Sequence, residues 1–498
     1  MYHIRTTKTA SSATAVQVVR YEKRKMIIAA HIGSGRNDEE ISALKKTAAR
    51  WIEKESKQHS LFLEMERTNF LLLNKCSYLG VRYSFIYEVL SHVLDHFGFH
   101  SLTDKKMLLD LVLIRIVEPA SKLRSFELLE EMFSIHYRRQ DFYRHLPELC
   151  GLKEQIESKV TVLAKKEFDF DFSLVFYDVT TLYFESFRSD ELRKPGFSKD
   201  NKPQQPQVLI GLIVDSQGFP VAYDIFPGNK FEGHTLIPVI SAFKEKHAID
   251  KLTVVADAAM ISFANVNALK AKGLEYIVGA RLSNLPQKTI KKIDSILERK
   301  DGKSLRMETG HGTLVCAFSS KRYRKDKSEM EKQIKKAKAL LKDPARAKRI
   351  KFIKNGEKAT LELNEKLIDK TKRILGIKGY YTNLEEKNVD NKTIIERYHD
   401  LWHIEQTFRI AKNDLEIRPI FHFKEHTVPV HILICFMALA ASKYMEIKTG
   451  KSARQIVKTL KNVTDVRIKN TITGEEITMR SEITDDVRGI ISRLGLSY

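Results

Sequence analysis

Acidic residues at the ends of two apolar runs are the feature of this chain that most suggests chemistry. Asp178 ends Ser-Leu-Val-Phe-Tyr-Asp, and Asp257 ends Leu-Thr-Val-Val-Ala-Asp. A carboxylate in or just after a buried strand loses its hydration at a cost, unless it is paired or binds a cation. A third acid, Glu405, lies in a helical pattern farther along. Three such acids in a chain of net charge +22 predict divalent-metal chemistry on a polyanion.

The pattern around Glu405 predicts one helix over residues 393–413 with a polar side. Positions seven apart drift only about 20° around a helix, so several polar and aromatic groups share one face. These residues are Tyr398, Trp402, Glu405, Arg409 and Lys412. The alternative is an ordinary amphipathic helix with Trp402 in the core and solvated charges, which is the commoner fate of such a stripe.

Magnesium is the metal that this set of acids favours. Mg²⁺ prefers oxygen ligands and keeps several waters, so a few carboxylates suffice. Two divalent ions about 4 Å apart can hold the attacking and leaving oxygens of a phosphoryl displacement. We expect two Mg²⁺ ions, with Mn²⁺ as a substitute. A cap or turn role is commoner for either Asp alone, whereas the ordered set favours metal binding. Glu232 is a candidate auxiliary acid.

The elements that must position these acids begin near residue 168. Alternating and apolar runs predict strands, and Asp215-Ser-Gln-Gly218 predicts a hairpin turn between two of them. The expected order is three strands, helix, strand, helix, strand. The predicted segments are strands 173–186, 208–214, 219–226, 253–256 and 276–279, with helices 235–246 and 262–272.

Charge and composition indicate a nucleic-acid partner. Between Lys288 and Arg373 there are 27 basic and 12 acidic residues, a surplus of 15 within the net charge of +22. The four cysteines form no CxxC pair, which fits a reducing cytosol and indicates no zinc site. The N-terminus shows no apolar signal segment, and the longest apolar run, residues 432–441, predicts a buried helix and not a membrane span.

A chain of 498 residues is expected to hold two to four domains. Residues 61–165 are either a helical DNA-binding domain or an ordinary helical packing domain, and the sequence favours neither. The predicted divisions are a small N-terminal module (1–60), the helical region (61–165), a catalytic core in two parts (166–284 and 376–445), a basic α+β insertion (285–375) and a polar C-terminal tail (446–498).

The spacing of the helix residues leads to a family. The chain resembles insertion-sequence DDE transposases of the subgroup with the signature Tyr-(2)-Arg-(3)-Glu-(6)-Lys, because Tyr398, Glu405 and Lys412 match at the required spacings. Leu401 stands at the Arg position, and Arg409 or Arg397 are candidates to replace its phosphate contact. The resemblance spans about residues 168–445 and includes the stretches 177–185, 228–235, 255–258 and 417–422.

The resemblance implies an α/β fold with an RNase H-like mixed-sheet core. It implies that Asp178, Asp257 and Glu405 bind the metals, and that Tyr398 and Lys412 contact phosphates of the transposon end. Trp402 is a candidate to receive a flipped base. The implied reaction is hydrolysis at the element's end, followed by attack of the freed 3′-hydroxyl on DNA.

The implied partners are double-stranded DNA, both the terminal inverted repeats and the target, and a second copy of the chain in a paired-end complex. The expected location is the cytoplasm of a bacterium or archaeon, near the nucleoid. Two alternatives stay open. One is a catalytically inactive DNA-binding relative, such as a repressor or a domesticated transposase. The other is a metal-dependent nuclease that does not join DNA.

Overall fold

A computed structural model describes most of the chain. The described residues are 2–10, 12–23, 25–56, 73–102, 106–198, 201–260, 262–309, 312–342, 351–355, 361–420 and 425–497. The predicted segments 61–165, 285–375 and 417–422 each extend in part outside them.

The described chain contains runs of helices and runs of strands. The helices are α1 (Asp38–Ser56), α2 (Ser84–His96), α3 (Lys106–Val117), α4 (Lys122–Phe133), α5 (Arg139–Cys150), α6 (Lys153–Phe168), α7 (Leu236–Lys246), α8 (Phe263–Ala271), α9 (Gln287–Ile296), α10 (Ser320–Lys342), α11 (Glu365–Arg373), α12 (Asn391–His399), α13 (Trp402–Arg409), α14 (Val428–Thr449), α15 (Ala453–Leu460) and α16 (Asp485–Arg493). The strands are β1 (Tyr2–Lys8), β2 (Thr14–Glu22), β3 (Lys25–Gly35), β4 (Cys76–Arg82), β5 (Leu174–Tyr183), β6 (Gln207–Val214), β7 (Pro220–Pro227), β8 (Thr253–Ala256), β9 (Glu275–Ala280), β10 (Ser304–Thr309), β11 (Gly312–Phe318), β12 (Ile353–Asn355), β13 (Leu361–Leu363), β14 (Ile377–Thr382), β15 (Asp465–Asn470) and β16 (Glu476–Arg480).

The chain divides into two compact units, and the smaller one contains residues from both ends of the sequence. It comprises Met1–Val89, Glu127–His136 and Val457–Tyr498. The meander β1-β2-β3 packs its apolar face on α1, with Val16, Val18 and Leu44 fully buried. A second sheet has the order β16-β15-β4. Because β15 pairs with β4, residues 465–470 are part of a sheet and do not belong to the polar tail that we expected.

The larger unit, Leu90–Phe126 and Tyr137–Ile456, contains the acids of interest. Its sheet in the described residues has the order β10-β11-β14-β9-β8-β5-β6-β7. Strands β5, β8 and β9 are parallel. Strand β6 pairs antiparallel with β5, and β7 pairs antiparallel with β6. The five strands β7-β6-β5-β8-β9 form the RNase H-like mixed sheet, so the predicted fold class is confirmed.

The predicted strands and helices of this core agree with the structure to within about four residues at their ends. The hairpin turn is also confirmed, because the carboxylate of Asp215 accepts hydrogen bonds from the backbone N–H groups of Gln217 and Phe219 at 2.8 Å. Strands β10, β11 and β14 extend the same sheet beyond β9. The flank of the basic segment is therefore continuous with the core sheet. The domain boundaries as such stay a prediction.

The apolar run 432–441 lies within α14, as a buried helix. The helical stretch Glu425–Thr449 is longer than that run and is long and apolar enough to cross a membrane, but 94% of its most apolar window is buried inside the protein. It packs on α3, α5 and β7 as the central helix of the larger unit. Burial against protein explains its hydropathy, as expected for a core helix.

Candidate active site

Strand register brings Asp178 and Asp257 next to each other. Strands β5 and β8 run parallel, with Phe176 opposite Val255 and Tyr177 opposite Ala256. The next residues in this register are the two aspartates. Neighbouring strands are about 4.8 Å apart and opposed residues project to the same face. Asp178 is half-buried and Asp257 is exposed. Two carboxylates therefore share one face where β8 ends.

Tyr398 connects the Glu-bearing region to this pair. Its hydroxyl donates to Oδ1 of Asp257 at 3.1 Å, and its side chain is only 5% exposed. Burial, followed by the negative charge of Asp257, raises the pKa of Tyr398 well above its usual range. The phenol therefore stays protonated and donates at any pH at which the protein would be used. Helix α12 is thereby attached to the end of β8.

Glu405 is exposed on the first turn of α13. Its charge contributes to the raised pKa of Tyr398, after burial and Asp257, so its carboxylate lies close enough to act on the same hydroxyl. In the part of the chain that the structure describes, no three His, Cys, Asp or Glu side chains are grouped closely enough to hold a metal ion. Within these described residues, Asp178, Asp257 and Glu405 therefore do not form one closely packed three-acid group.

The single helix that we predicted over residues 393–413 is wrong in detail. Helix α12 ends at His399, α13 begins at Trp402, and residues Ile410–Asp414 form a π-helical turn. At the break, the N–H of Leu401 bonds to the carbonyl of Tyr398, which is a tighter turn than an α-helix makes. The 100° spacing therefore does not hold from Tyr398 to Lys412.

Lys378 is a neighbour of the site that the sequence did not indicate. Its Nζ lies 4.5 Å from the centre of the Tyr398 ring. Burial, followed by the positive charge of Arg322, lowers its pKa, and the charges of Asp257 and Glu405 oppose that shift. A single Lys in the short strand β14 matches no motif, so only the sheet order reveals it. It is a cation within electrostatic reach of two of the three acids.

A second set of contacts supports Asp178. The preceding residue, Tyr177, is fully buried and donates to Oγ1 of Thr235 at 2.8 Å, and Thr235 donates to the carbonyl of Glu232 at 2.6 Å. A Cβ at Gly211 would lie 2.4 Å from the Tyr177 hydroxyl, so glycine is needed there. Glu232 is half-buried and its charge reaches Tyr177. The auxiliary acid that we considered therefore lies beside the residue that precedes Asp178.

Asn265 joins the two loops that flank the acids. Its Nδ2 donates to the carbonyl of Gly233 and to that of Met260, each at 2.6 Å. The first carbonyl is in the loop of Glu232, and the second is in the turn after Asp257. This side chain is 6% exposed, so its bonds are shielded from water. The loop after β7 and the loop after β8 are thus held at a fixed separation.

The other predicted DNA-binding residues are partly accessible. Trp402 is 51% exposed and its ring lies 3.9 Å from that of His403, so the core role that we considered for it is wrong. Arg409 is exposed. Lys412 is half-buried at a cavity that is also lined by Thr180 and Phe408. Leu401, at the signature's Arg position, is buried at the helix break.

A cleft of about 330 Å³ adjoins Lys378. It lies between α10 and two strand ends, the end of β9 and the start of β14. Basic and acidic side chains both line it. Its charged lining residues are Arg281, Arg322, Asp326, Glu329, Lys351 and Lys378. Arg322 pairs with Asp326 at 3.3 Å. Cations of the basic segment, such as Arg322 and Lys351, therefore line the same cleft as Lys378 of β14.

Comparison with known proteins places the chain in a family. The profile described as "Transposase DDE domain" matches residues 169–441, which is more than half of the chain. This range contains Asp178, Asp257 and Glu405. A search of curated protein sequences found no match.

Solved transposase structures are similar at low identity. A piggyBac transposase synaptic complex with hairpin DNA matches with a TM-score of 0.38 and 11% identity, over 76% of this chain and 77% of that one. A Mos1 transposase paired-end complex with the left transposon end has a TM-score of 0.16 and 15% identity, over 46% and 66%. A Mos1 mariner paired-end complex with Mn has a TM-score of 0.15, with the same identity and coverage. The match of the family profile over residues 169–441 identifies the chain as a member of the DDE transposases, which process DNA during transposition.

Proposed function

We propose that this transposase hydrolyses the phosphodiester bond at the ends of its own element and joins the freed 3′-hydroxyl to target DNA. Asp178, Asp257 and Glu405 form its catalytic set. The observation that carries the proposal is the register of β5 and β8, because it makes two carboxylates neighbours within the range that the family profile matches. The Tyr398 bond to Asp257 brings the third acid's region to the same edge.

The donors suit a divalent cation, since all three are carboxylates and hard cations prefer oxygen ligands. When bound, two Mg²⁺ ions, or Mn²⁺ in their place, would lower the pKa of an attacking water and offset charge on the phosphate. Asp178 and Asp257, neighbours in the register of β5 and β8, would supply oxygen ligands to the ions. Glu405, whose side chain is exposed and free of core packing, would approach from α13.

The chain's own groups would orient the substrate around these acids. Tyr398 keeps one oxygen of Asp257 engaged, which leaves the other oriented for a ligand. Lys378 is within electrostatic reach of Asp257 and Glu405 and also lines the cleft beside α10, and its ammonium group would stabilise negative charge on the scissile phosphate. Trp402, half exposed beside Glu405, offers an aromatic surface for an unpaired base near the cut.

We infer that double-stranded DNA is the partner and that α10 of the basic segment binds its backbone. Exposed lysines recur along α10, among them Lys325, Lys332 and Lys335. Cations that neutralise phosphates release counterions, so this binding would weaken steeply with salt. Two copies of the chain would hold the paired ends of an insertion sequence.

The test uses the purified full chain, labelled double-stranded end DNA and Mg²⁺. The wild type is expected to nick the end and, with target DNA present, to form joined products. Asp178→Ala, Asp257→Ala and Glu405→Ala are each expected to abolish nicking while the affinity for end DNA changes little. Glu396→Ala is the matched control, because Glu396 is an exposed acid on the preceding helix with one weak pair to Lys392 at 3.8 Å.

Each outcome assigns the function. Nicking at the wild-type rate by any of the three variants would remove that acid from the catalytic set. Binding of end DNA without nicking by the wild type would favour an inactive relative. Nicking without joined products would favour a nuclease.

A further inference from the structure

A polar cavity of about 70 Å³ lies away from the acids, between the start of α4 and the segment that precedes α14. Its lining comes from the helical region before the core and from the chain that follows the Glu-bearing helix. The lining residues are Arg115, Ala120, Ser121, Lys122, Glu416, Arg418, Pro419 and His431. None of these residues was assigned a role in cleavage.

The charges around this cavity are mostly positive. Arg115, Lys122 and Arg418 line it. Among the described lining residues there is one acid, Glu416, and it is exposed. His431 is 4% exposed, and its Nε2 lies 3.2 Å from the carbonyl of Ile417. Like charges such as those of Arg115 and Lys122, gathered around a small space, repel each other, and an anion bound there would offset that repulsion.

Arg115 is the strongest indication of a ligand. Its side chain is only 3% exposed, and its Nε is buried with no hydrogen-bond partner among the described residues. One of its other nitrogens, Nη1, lies 3.5 Å from the carbonyl of Leu415. A buried guanidinium N–H without an acceptor is costly, and such groups are usually satisfied by a water, an ion or a ligand.

Lys122 contributes a second desolvated cation from another element. It is the first residue of α4, and burial together with the positive charge of Arg115 lowers its pKa to about 7. A helix N-terminus favours negative charge nearby. Ser121 and Lys122, at the start of α4, line the same small space as Arg115.

We propose that this cavity binds a tetrahedral oxyanion of the phosphate type. Guanidinium and ammonium groups make charge-assisted hydrogen bonds to phosphate oxygens, and a planar guanidinium can contact two of them at once. The cavity has room for a single phosphate group. The anion is supplied either as free phosphate or as one phosphodiester group of bound DNA.

The test measures phosphate binding by isothermal titration calorimetry at constant ionic strength, with the full chain and no metal or DNA. Lys122→Gln removes one cation at a half-buried position, and Arg124→Gln is the matched control, since Arg124 is exposed two residues further along α4 and does not line the cavity. We expect the wild type and Arg124→Gln to bind phosphate alike, and Lys122→Gln to bind about tenfold or more weakly. If Lys122→Gln does not fold, as judged by circular dichroism, Arg418→Gln takes its place.

A second arm separates the two sources of phosphate. The affinity for duplex end DNA is measured for both variants, with and without saturating phosphate. If the anion is a DNA phosphate, Lys122→Gln binds DNA about tenfold more weakly than Arg124→Gln, and free phosphate competes. If it is free phosphate, DNA affinity does not distinguish the variants. The proposal is overturned if neither phosphate affinity nor DNA affinity differs between Lys122→Gln and Arg124→Gln.

Discussion

Replacing Tyr398 by Phe removes one oxygen atom and, with it, the hydrogen bond to Asp257. The O···O distance of 3.1 Å is longer than the usual ~2.7–2.8 Å for a hydroxyl donor, and Asp257 is exposed to water. A hydrogen bond to a charged group contributes about 1.5–3 kcal/mol, so the lower end of that range applies. If the bond orients Asp257 in the transition state, about 1.5 kcal/mol corresponds to about a tenfold lower cleavage rate.

The assay is single-turnover nicking of labelled end DNA as a function of Mg²⁺ concentration. We expect Tyr398→Phe to lower the maximal rate about tenfold, with unchanged affinity for end DNA. Tyr380→Phe is the control, because the Tyr380 ring packs 4.8 Å from that of Tyr398 and is as deeply buried. It removes a neighbouring hydroxyl without touching Asp257, so its rate should be that of the wild type.

Two results would refute this reasoning. Equal rates for Tyr398→Phe, Tyr380→Phe and the wild type would mean that the bond to Asp257 does not orient the carboxylate during cleavage. An unchanged maximal rate with weaker binding of end DNA would instead assign Tyr398 to a phosphate contact, which is the role that the sequence resemblance implies. The Mg²⁺ dependence separates the two, since only a change at Asp257 would alter it.

Three further predictions test other parts of the molecule. Replacing Lys332 and Lys335 on α10 with Gln should reduce the slope of log affinity against log salt by up to about 2, and an unchanged slope would mean that this face does not contact DNA. Trp402→Ala should slow end cleavage without lowering the thermal midpoint, because the ring is half exposed; a wild-type rate would exclude base stacking there. Lys448 donates a hydrogen bond to Glu167 at 2.6 Å and lowers the pKa of Glu167 below its unfolded value of about 4.3. The ionised pair therefore stabilises the folded protein above that pH, and this contribution is lost as the pH falls through the folded pKa. Glu167→Gln should therefore be less stable than the wild type at neutral pH by urea unfolding, and the difference should shrink in acid; a constant difference would argue against the pair.

Local patterns explain why much of the core could be predicted. Strands β5, β6, β7 and β8 show apolar or alternating runs, and Asp215 to Gly218 is a turn that a few neighbouring residues encode. The spacing of acids at strand ends, together with the helix signature, was enough to indicate the family and the two aspartates. These signals depend on residues close in sequence, so they can be read without coordinates.

The break after His399 shows where periodicity misleads. Helical spacing assumes a uniform rotation per residue. The chain instead makes a tighter i to i−3 hydrogen bond at Leu401 and a wider π-helical turn at Ile410–Asp414. At this break the helix is not continuous, and Leu401 is buried while Trp402 is half exposed. Packing against the sheet decides such details, because it can outweigh the small energy differences between helix types.

The sequence by itself determined the family, the order of the core strands along the chain and the three acids that we propose as metal ligands. Only the tertiary structure decided that Tyr398 bonds to Asp257, that Lys378 lies beside the Tyr398 ring, that β15 pairs with β4, and that Arg115, Lys122 and Arg418 line one cavity. These contacts join residues that are far apart in the chain. They follow from how buried surfaces of distant segments fit together, and no local pattern of residue types records that fit.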